Sequence, residues 1–305
     1  MASVNLLSHP YIQNFLSGDL LLLERYGWQA LTDFLIELKM MESGTIPYSE
    51  LGISERRHLQ VPEYFSVDLA TGTPSKVARD KSALYEWYQS LPENSVAVVK
   101  LHGVMRSQSA ASTRGVDMIE RDLFEAYDNP RVSAVVLDVH SGGGEASAGF
   151  RMASAIQSRN KPVVALTHVA GSAAYLAASY ADEIMISDGG EVGGIGALIS
   201  FDMRIVNEYK EHFLEIYDPE SSDKNLEYRQ LKEGNTGPMT EMLVELATKF
   251  RGVVRANREL HGNEETQRKT LAGGMFGARE AKRRGLADSG GSLNKAILRS
   301  FRLAK

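Results

Sequence analysis

Three short stretches hold the residues whose types and spacing could do chemistry. The first, Val139-His140-Ser141-Gly142-Gly143-Gly144-Glu145, sets three successive glycines behind a Val/Leu run. Backbone N–H groups without side-chain cover can approach a substrate oxygen closely, as an oxyanion hole or a phosphate cradle requires. A plain turn that ends a strand fits the same residues. The second, Val169-Ala170-Gly171-Ser172-Ala173-Ala174-Tyr175, places Ser172 between a Val-rich run and an Ala-rich run, with Ala170 and Ala174 two residues to either side. A nucleophile elbow needs such small neighbours, and a helix starting at the serine favours the oxyanion formed when its hydroxyl attacks a carbonyl. A serine that merely caps a helix meets the same pattern. The third, Asp188 to Ser200, carries Gly189, Gly190, Gly193, Gly194 and Gly196. It contains no G-x-G-x-x-G window, so dinucleotide binding is not supported. A substrate-binding strand, contacting its ligand through Gly194, Ile195 and Gly196, or close backbone packing is the expectation.

Composition removes whole classes of function. With 34 Lys+Arg against 39 Asp+Glu the net charge is −5, which gives no basic field for a nucleic-acid backbone, and no nucleic-acid partner is expected. The absence of cysteine excludes disulfides, thiolate metal sites and Cys nucleophiles together, and suits a reducing compartment. No H-E-x-x-H or other metal-ligand spacing occurs, so the expectation is hydrolysis without metal or other cofactor. The run Leu20 to Leu23 is closed by Glu24 and Arg25. That is too short for a signal-peptide core or a membrane span of about 20 residues, so a soluble, cytoplasmic protein is expected.

The elements that must position these loops are legible from Ser95 onward. Strand-like runs at Val96 to Leu101, Ala134 to Val139, Pro162 to Val169 and Glu183 to Ser187 alternate with helical segments near Val116 to Tyr127, Ala146 to Gln157 and Ala173 to Ala181. Continuous Val/Leu runs are the mark of strands buried on both faces, hence an α/β layer architecture with a parallel sheet and its chemistry in the loops after the strands. Upstream, residues 18 to 42 carry Leu20, Leu23, Trp28, Leu31, Phe34, Leu35 and Leu38 at helical spacing, the stripe of an amphipathic helix. Ser43 to Asp80 is broken by Gly and Pro and reads as an irregular arm, followed by a short helix at Lys81 to Leu91. Further helices are expected at Pro238 to Leu260 and in the tail GGMFGAREAKRRGLAD, with a stop at Gly285.

LDVHSGGGEASA, HVAGSAAYLAASYADEI and VGGIGALIS, in this order, resemble the protease IV or signal peptide peptidase A family of serine peptidases, its phage head-maturation branch included. The resemblance covers roughly residues 95 to 290. Gly142 departs from it, standing where the family usually has Pro, and so do Ala173 and Ala174, standing where it usually has two glycines. It implies a Clp/crotonase-like α/β core at 93–290, preceded by an N-terminal helical arm and linker at 1–92 and followed by a tail at 291–305. It also implies a Ser-Lys dyad. Ser172 is then the nucleophile, the backbone N–H groups of Gly143 and Ala173 are the oxyanion donors, and Gly142, Gly144, Gly194, Ile195 and Gly196 contact the substrate.

The family's base is a lysine about fifty residues after the serine. Lys224, in YDPESSDKNLEYR and 52 residues beyond Ser172, takes that role, with Lys232 the alternative and a base drawn from His140 or His168 the rival. A lysine can accept the serine proton near neutral pH only when burial disfavours its ammonium form, so Lys224 is expected among apolar neighbours such as Ile216 and Leu226. The Lys-Asn segment tilts the reading to the phage branch, with capsid or scaffold proteins as substrates, against a cellular signal-peptide-degrading peptidase. The family core and the striped helix imply a homo-oligomer. A crotonase-type acyl-CoA enzyme and an inactive assembly scaffold are the readings from other classes.

Overall fold

The chain was analysed as a computed structural model that describes residues 20–22, 62–68, 70–79, 84–109, 114–201, 206–207, 211–212 and 214–305. Its centre is an eight-stranded sheet. The strands β4 (Ser95–His102), β5 (Val132–Ser141), β7 (Val163–Gly171) and β8 (Glu183–Gly193) run parallel in adjacent positions. Outside β8 lie β10 (Ser289–Gly290), parallel to it, and β9 (Met275–Gly277), antiparallel. Outside β4 lie β2 (Glu63–Val67) and then β3 (Pro74–Lys76), both antiparallel to their neighbours.

Successive side chains of a strand point to opposite faces, and here both faces are dry. Ala97, Val99, Leu101, Val135, Leu137 and Val139 pack against a helical layer that includes Leu123, Met152, Ile156 and Leu176. Those residues come from α2 (Val116–Asp128), α3 (Ala146–Gln157) and α4 (Ala173–Ala178). Val96, Val98, Ala134, Val136, Val164 and Leu166 pack instead against Ala296, Ile297 and Phe301 of α9 (Leu293–Leu303). Two covered faces explain why these strands read as unbroken apolar runs rather than alternating ones. The expectation of a parallel α/β sheet is met, and residues 291–305, expected as a tail, supply the helix that closes its second face.

Other expectations give way to tertiary context. The stretch read as an irregular arm contains β2 and β3, whose signal, Glu63-Tyr-Phe-Ser-Val, is short and is stabilised by pairing Tyr64 with Ala97 at the sheet edge. The short helix expected at Lys81 to Leu91 is α1 (Leu84–Gln89). Leu20–Leu22, expected within a helix, is strand β1, paired antiparallel with β6 (Gly143–Glu145) so that Leu22 lies opposite Gly143. Backbone partners on an open strand edge override the helical spacing there. The remainder of the expected 18–42 helix lies outside the described residues. Residues 214–217 are irregular. Downstream come α5 (Leu226–Lys232), the long α6 (Gly237–Asn257), α7 (Glu264–Thr270) and α8 (Ala278–Arg283); α8 packs against β8, and α6 against α4 and α5.

Candidate active site

Ser172 stands at the corner where β7 ends and α4 begins, with φ 52° and ψ −118°. A positive φ is a region that non-glycine residues enter at a cost of about 1–3 kcal/mol, and it persists only where the surroundings over-determine it. They do so here. The Ser172 N–H donates to Gly193 O at 2.9 Å, the Leu176 N–H donates to Ser172 O at 2.9 Å, and Ala170, Ala173 and Ala174 are fully buried around the corner. Larger side chains would not fit. The reading of Ser172 as an ordinary cap is not met, because its side chain makes no capping hydrogen bond and a capping residue ordinarily has extended backbone. Among the described residues its Oγ has no hydrogen-bond partner.

The serine opens onto a cavity of about 320 Å³. Gly194, Ile195 and Gly196 form one wall with Ala197 and Leu198, α6 contributes Ala247 and Arg251, and the turn Leu271-Ala272-Gly273 closes the far side. Ser172 and the expected segment Gly194-Ile195-Gly196 are thus together, although this segment is irregular chain after the end of β8 rather than strand. Gly193 before them has φ 137°, and a Cβ there would sit 2.2 Å from Gly274 O. Gly193 therefore serves close packing of β8 on Gly274, while Gly194 and Gly196 line the cavity. Arg251, Leu198 and Leu271 were absent from the expected set. Leu198 lies within VGGIGALIS, whereas Arg251 and Leu271 come from elements far along the chain that no local motif marks.

Gly142, Gly143 and Gly144 lie outside the cavity lining. Gly143 has φ 106°, and its N–H donates to Ser141 Oγ at 3.1 Å, while that hydroxyl donates to Gly103 O at 2.6 Å. Gly144 is required by the chain itself: a Cβ there would lie 2.0 Å from Met105 O, because Met105 pairs with this strand through Gly143 O and Glu145 N–H. Ala173 is the first residue of α4, so its N–H belongs to the first turn, whose donors have no partners within the helix.

Lys224 is not where the chemistry expects it. It is exposed on the turn before α5, and Ile216, its expected apolar cover, is 88% exposed. Lys224 does not line the cavity, and among the described residues it forms no ion pair. A sequence with Asp223 and Asn225 on either side of the lysine holds little that could bury it locally. Lys232 is ion-paired with Glu215.

Of the two histidines weighed as bases, His168 is hydrogen-bonded to Asp138, and the His140 ring lies beside it. His168 and His102 each place Nε2 on Asp138, at 3.1 and 2.9 Å, and His140 lies between them with ring centroids 6.0 Å from both. These side chains belong to the sheet face that α9 covers further along, since Asp138 follows Val136, and His168 follows Leu166, by one strand repeat. Ser172 and α4 belong with the opposite layer. Burial disfavours ionisation of Asp138, but its hydrogen bonds and charge interactions with His102 and His168 outweigh that and hold its carboxyl below the ordinary value. Burial, followed by repulsion from His102 and His168, lowers the pKa of His140. Among the described residues no group of His, Asp or Glu is arranged to hold a metal ion, and no helix is long and apolar enough to cross a membrane.

Residues 155–305, which include Ser172 and Lys224, match peptidase family S49. Protease 4 of Haemophilus influenzae is 34% identical over 113 residues, a match that spans 35% of this chain and 18% of that protein. These two findings support a peptidase of the S49/protease IV family. Among solved structures, a ClpP1 point mutant from Listeria monocytogenes is 13% identical, with 66% of this chain and 94% of that one covered at a TM-score of 0.42. An enoyl-CoA hydratase from Shewanella pealeana is 10% identical, with 72% and 77% covered at a TM-score of 0.39.

Proposed function

We propose that this protein is a serine endopeptidase in which Ser172 is the nucleophile and Lys224 the general base. The observation that carries the reading is the strained serine: its Oγ has no partner among the described residues, stands at a strand-to-helix corner and faces a cavity. The S49 match across 155–305 supports peptide-bond chemistry over a capping or scaffolding role.

Ser172 Oγ attacks the peptide carbonyl carbon as its proton passes to a neutral Lys224 Nζ. The N–H groups of Ala173 and Gly143 stabilise the resulting oxyanion. The lysine returns the proton to the departing amine, leaving an acyl-enzyme. A water deprotonated by the same Nζ then releases the acid and regenerates Ser172. For Gly143 to donate, its bond to Ser141 Oγ must yield. For Lys224 to act, the 214–225 segment, whose Leu214 and Ile216 are each 88% exposed, must lie over the cavity in the active form. Assembly of several copies is the arrangement we propose for covering those apolar side chains.

For substrate and setting we propose capsid or scaffold proteins of a phage, processed in the host cytoplasm, from the likeness of the Lys224-Asn225 segment to that branch of the family. The test is co-expression of the intact protein, or of Ser172→Ala, with the capsid and scaffold genes encoded beside it, read by mass spectrometry of the products. Cleavage that needs Ser172 supports the reading. Unchanged cleavage by Ser172→Ala overturns the nucleophile, and a protein that cleaves other substrates while leaving these intact overturns the phage assignment.

A further inference from the structure

The cavity beside Ser172 is walled by backbone and by small or aliphatic side chains, with one exception. Arg251 projects into it from α6, one turn beyond Ala247 on the same helix face, as the spacing of four residues dictates. Among the described residues of that lining it is the only charged side chain. Among the described residues its sole hydrogen bond is from Nη2 to Thr248 Oγ1 at 3.2 Å, and none of their carboxylates pairs with it. The other arginines of this region are satisfied differently: Arg258 pairs with Asp288, and Arg284 pairs with Glu280. A guanidinium presents its donors in a planar fork, and one that faces an apolar cavity with most of that fork unused is set up to receive a planar anion.

We infer that Arg251 is a specificity-determining residue, which makes the cavity beside Ser172 select peptides that bring a carboxylate into it. The inference rests on the reading of Ser172 as nucleophile and adds the substrate class. A volume of about 320 Å³ is at the small end of ligand sites, enough for one side chain and its stem. Ala247, Leu271 and Ile195 cover the methylenes while Arg251 meets the acid. Glutamate fits this pattern best, being an aliphatic stem with a planar anionic end. The carboxylate of a chain terminus offers the same chemistry, and the experiment separates the two sources.

The probes are internally quenched peptides of one sequence with Glu, Gln, Leu or Lys at a single position scanned along the chain, each made with a free and an amidated C-terminus. Matching peptide aldehydes ending in Glu or Gln report affinity through thermal stabilisation of the full-length protein, independently of turnover. The expected result is a Glu-over-Gln ratio in kcat/KM of about tenfold or more, as suits a charge-assisted bond. That ratio collapses toward one in Arg251→Gln and is retained in part by Arg251→Lys. In Arg251→Glu the preference turns toward Lys. Lys249→Gln serves as the charge control, since Lys249 lies over the Phe150 ring and outside the cavity lining, and it should leave the ratio as it was.

A preference that follows the free terminus rather than the side chain assigns Arg251 to a chain end. A Glu/Gln ratio near one in both turnover and aldehyde binding overturns the inference, as does an equal fall in Lys249→Gln. Cleavage that survives Ser172→Ala defeats the nucleophile instead, whatever the ratio shows.

Discussion

The Ser172 N–H donates to Gly193 O across 2.9 Å, which ties the strained corner at the end of β7 to the last residue of β8. That bond holds a serine at φ 52° in a conformation glycine would adopt freely. Ser172→Gly is therefore expected to be more stable than Ser172→Ala by about 1 kcal/mol, with both losing about a thousandfold or more of peptidase activity. Urea unfolding of the three proteins checks the first part. An alanine variant as stable as the glycine variant would show that the corner is not strained.

The base can be identified by charge rather than by removal. A guanidinium cannot accept the serine proton, so Lys224→Arg should be as inactive as Lys224→Ala. Lys232→Ala breaks a pair with Glu215 and should keep most activity, and so should His140→Ala and His168→Ala. Rates on one cleaved peptide across pH 5 to 10 should show a single rising limb and none near the ordinary histidine value of about 6.5. A Lys224→Arg enzyme that turns over moves the base elsewhere.

Glycines in these loops should divide sharply by what surrounds them. Gly193→Ala combines φ 137° with a Cβ 2.2 Å from Gly274 O, and should cost about 3 kcal/mol or more. Gly189→Ala, at φ 74° but with nothing within 4 Å of the added carbon, should cost only about 1–2 kcal/mol. Comparable losses of stability in the two variants would contradict the packing described here.

Acid should weaken the fold in two windows. Asp138 has a folded pKa below its unfolded value, so its contribution is complete above about 3.9 and disappears as pH falls through the folded value. His140 is also lowered in the folded protein. The unfolded chain binds its proton first, and stability falls as pH drops below about 6.5. Asp138→Asn should flatten the lower window and His140→Gln the upper one. Unfolding free energies measured at half-unit steps from pH 3 to 8 test both, and slopes identical to those of the unaltered protein would remove these groups from the account.

Much of the sheet could be read in advance because each buried strand carries its own signal. Ala134 to Leu137 and Pro162 to Leu166 are apolar without interruption, and the helix read near Ala146 to Gln157 is α3. Ser172 was legible for a related reason, since a corner that must be small on every side leaves a mark in local sequence. What local sequence could not show was made by distant partners. Tyr64 and Phe65 are strand residues only because β4 offers an edge, and Leu20–Leu22 only because β6 does. Arg251 reaches the cavity through the way α6 lies against α4, a relation no window of neighbouring residues contains. Lys224 was marked by its distance from Ser172 and by family likeness, and neither encodes burial.

Tyr175, three residues beyond the serine, donates its hydroxyl to Leu286 O at 2.9 Å across 111 positions of chain, and Ile184 N–H reaches Asp288 Oδ2 at 2.7 Å across 104. Ser289 and Arg299 likewise return to Glu183. Such long closures make a high contact order, which slows folding because the loop entropy is lost before the contacts repay it. A chain emerging from the ribosome finishes β7 and the serine corner while the residues that clasp α4 and β8 have yet to be made. The cavity gains its far wall only with Leu271 to Gly273, and the sheet its second cover only with α9. The order of synthesis therefore acts as a timer, keeping the serine unassembled until the segments from Leu271 through α9 have been made.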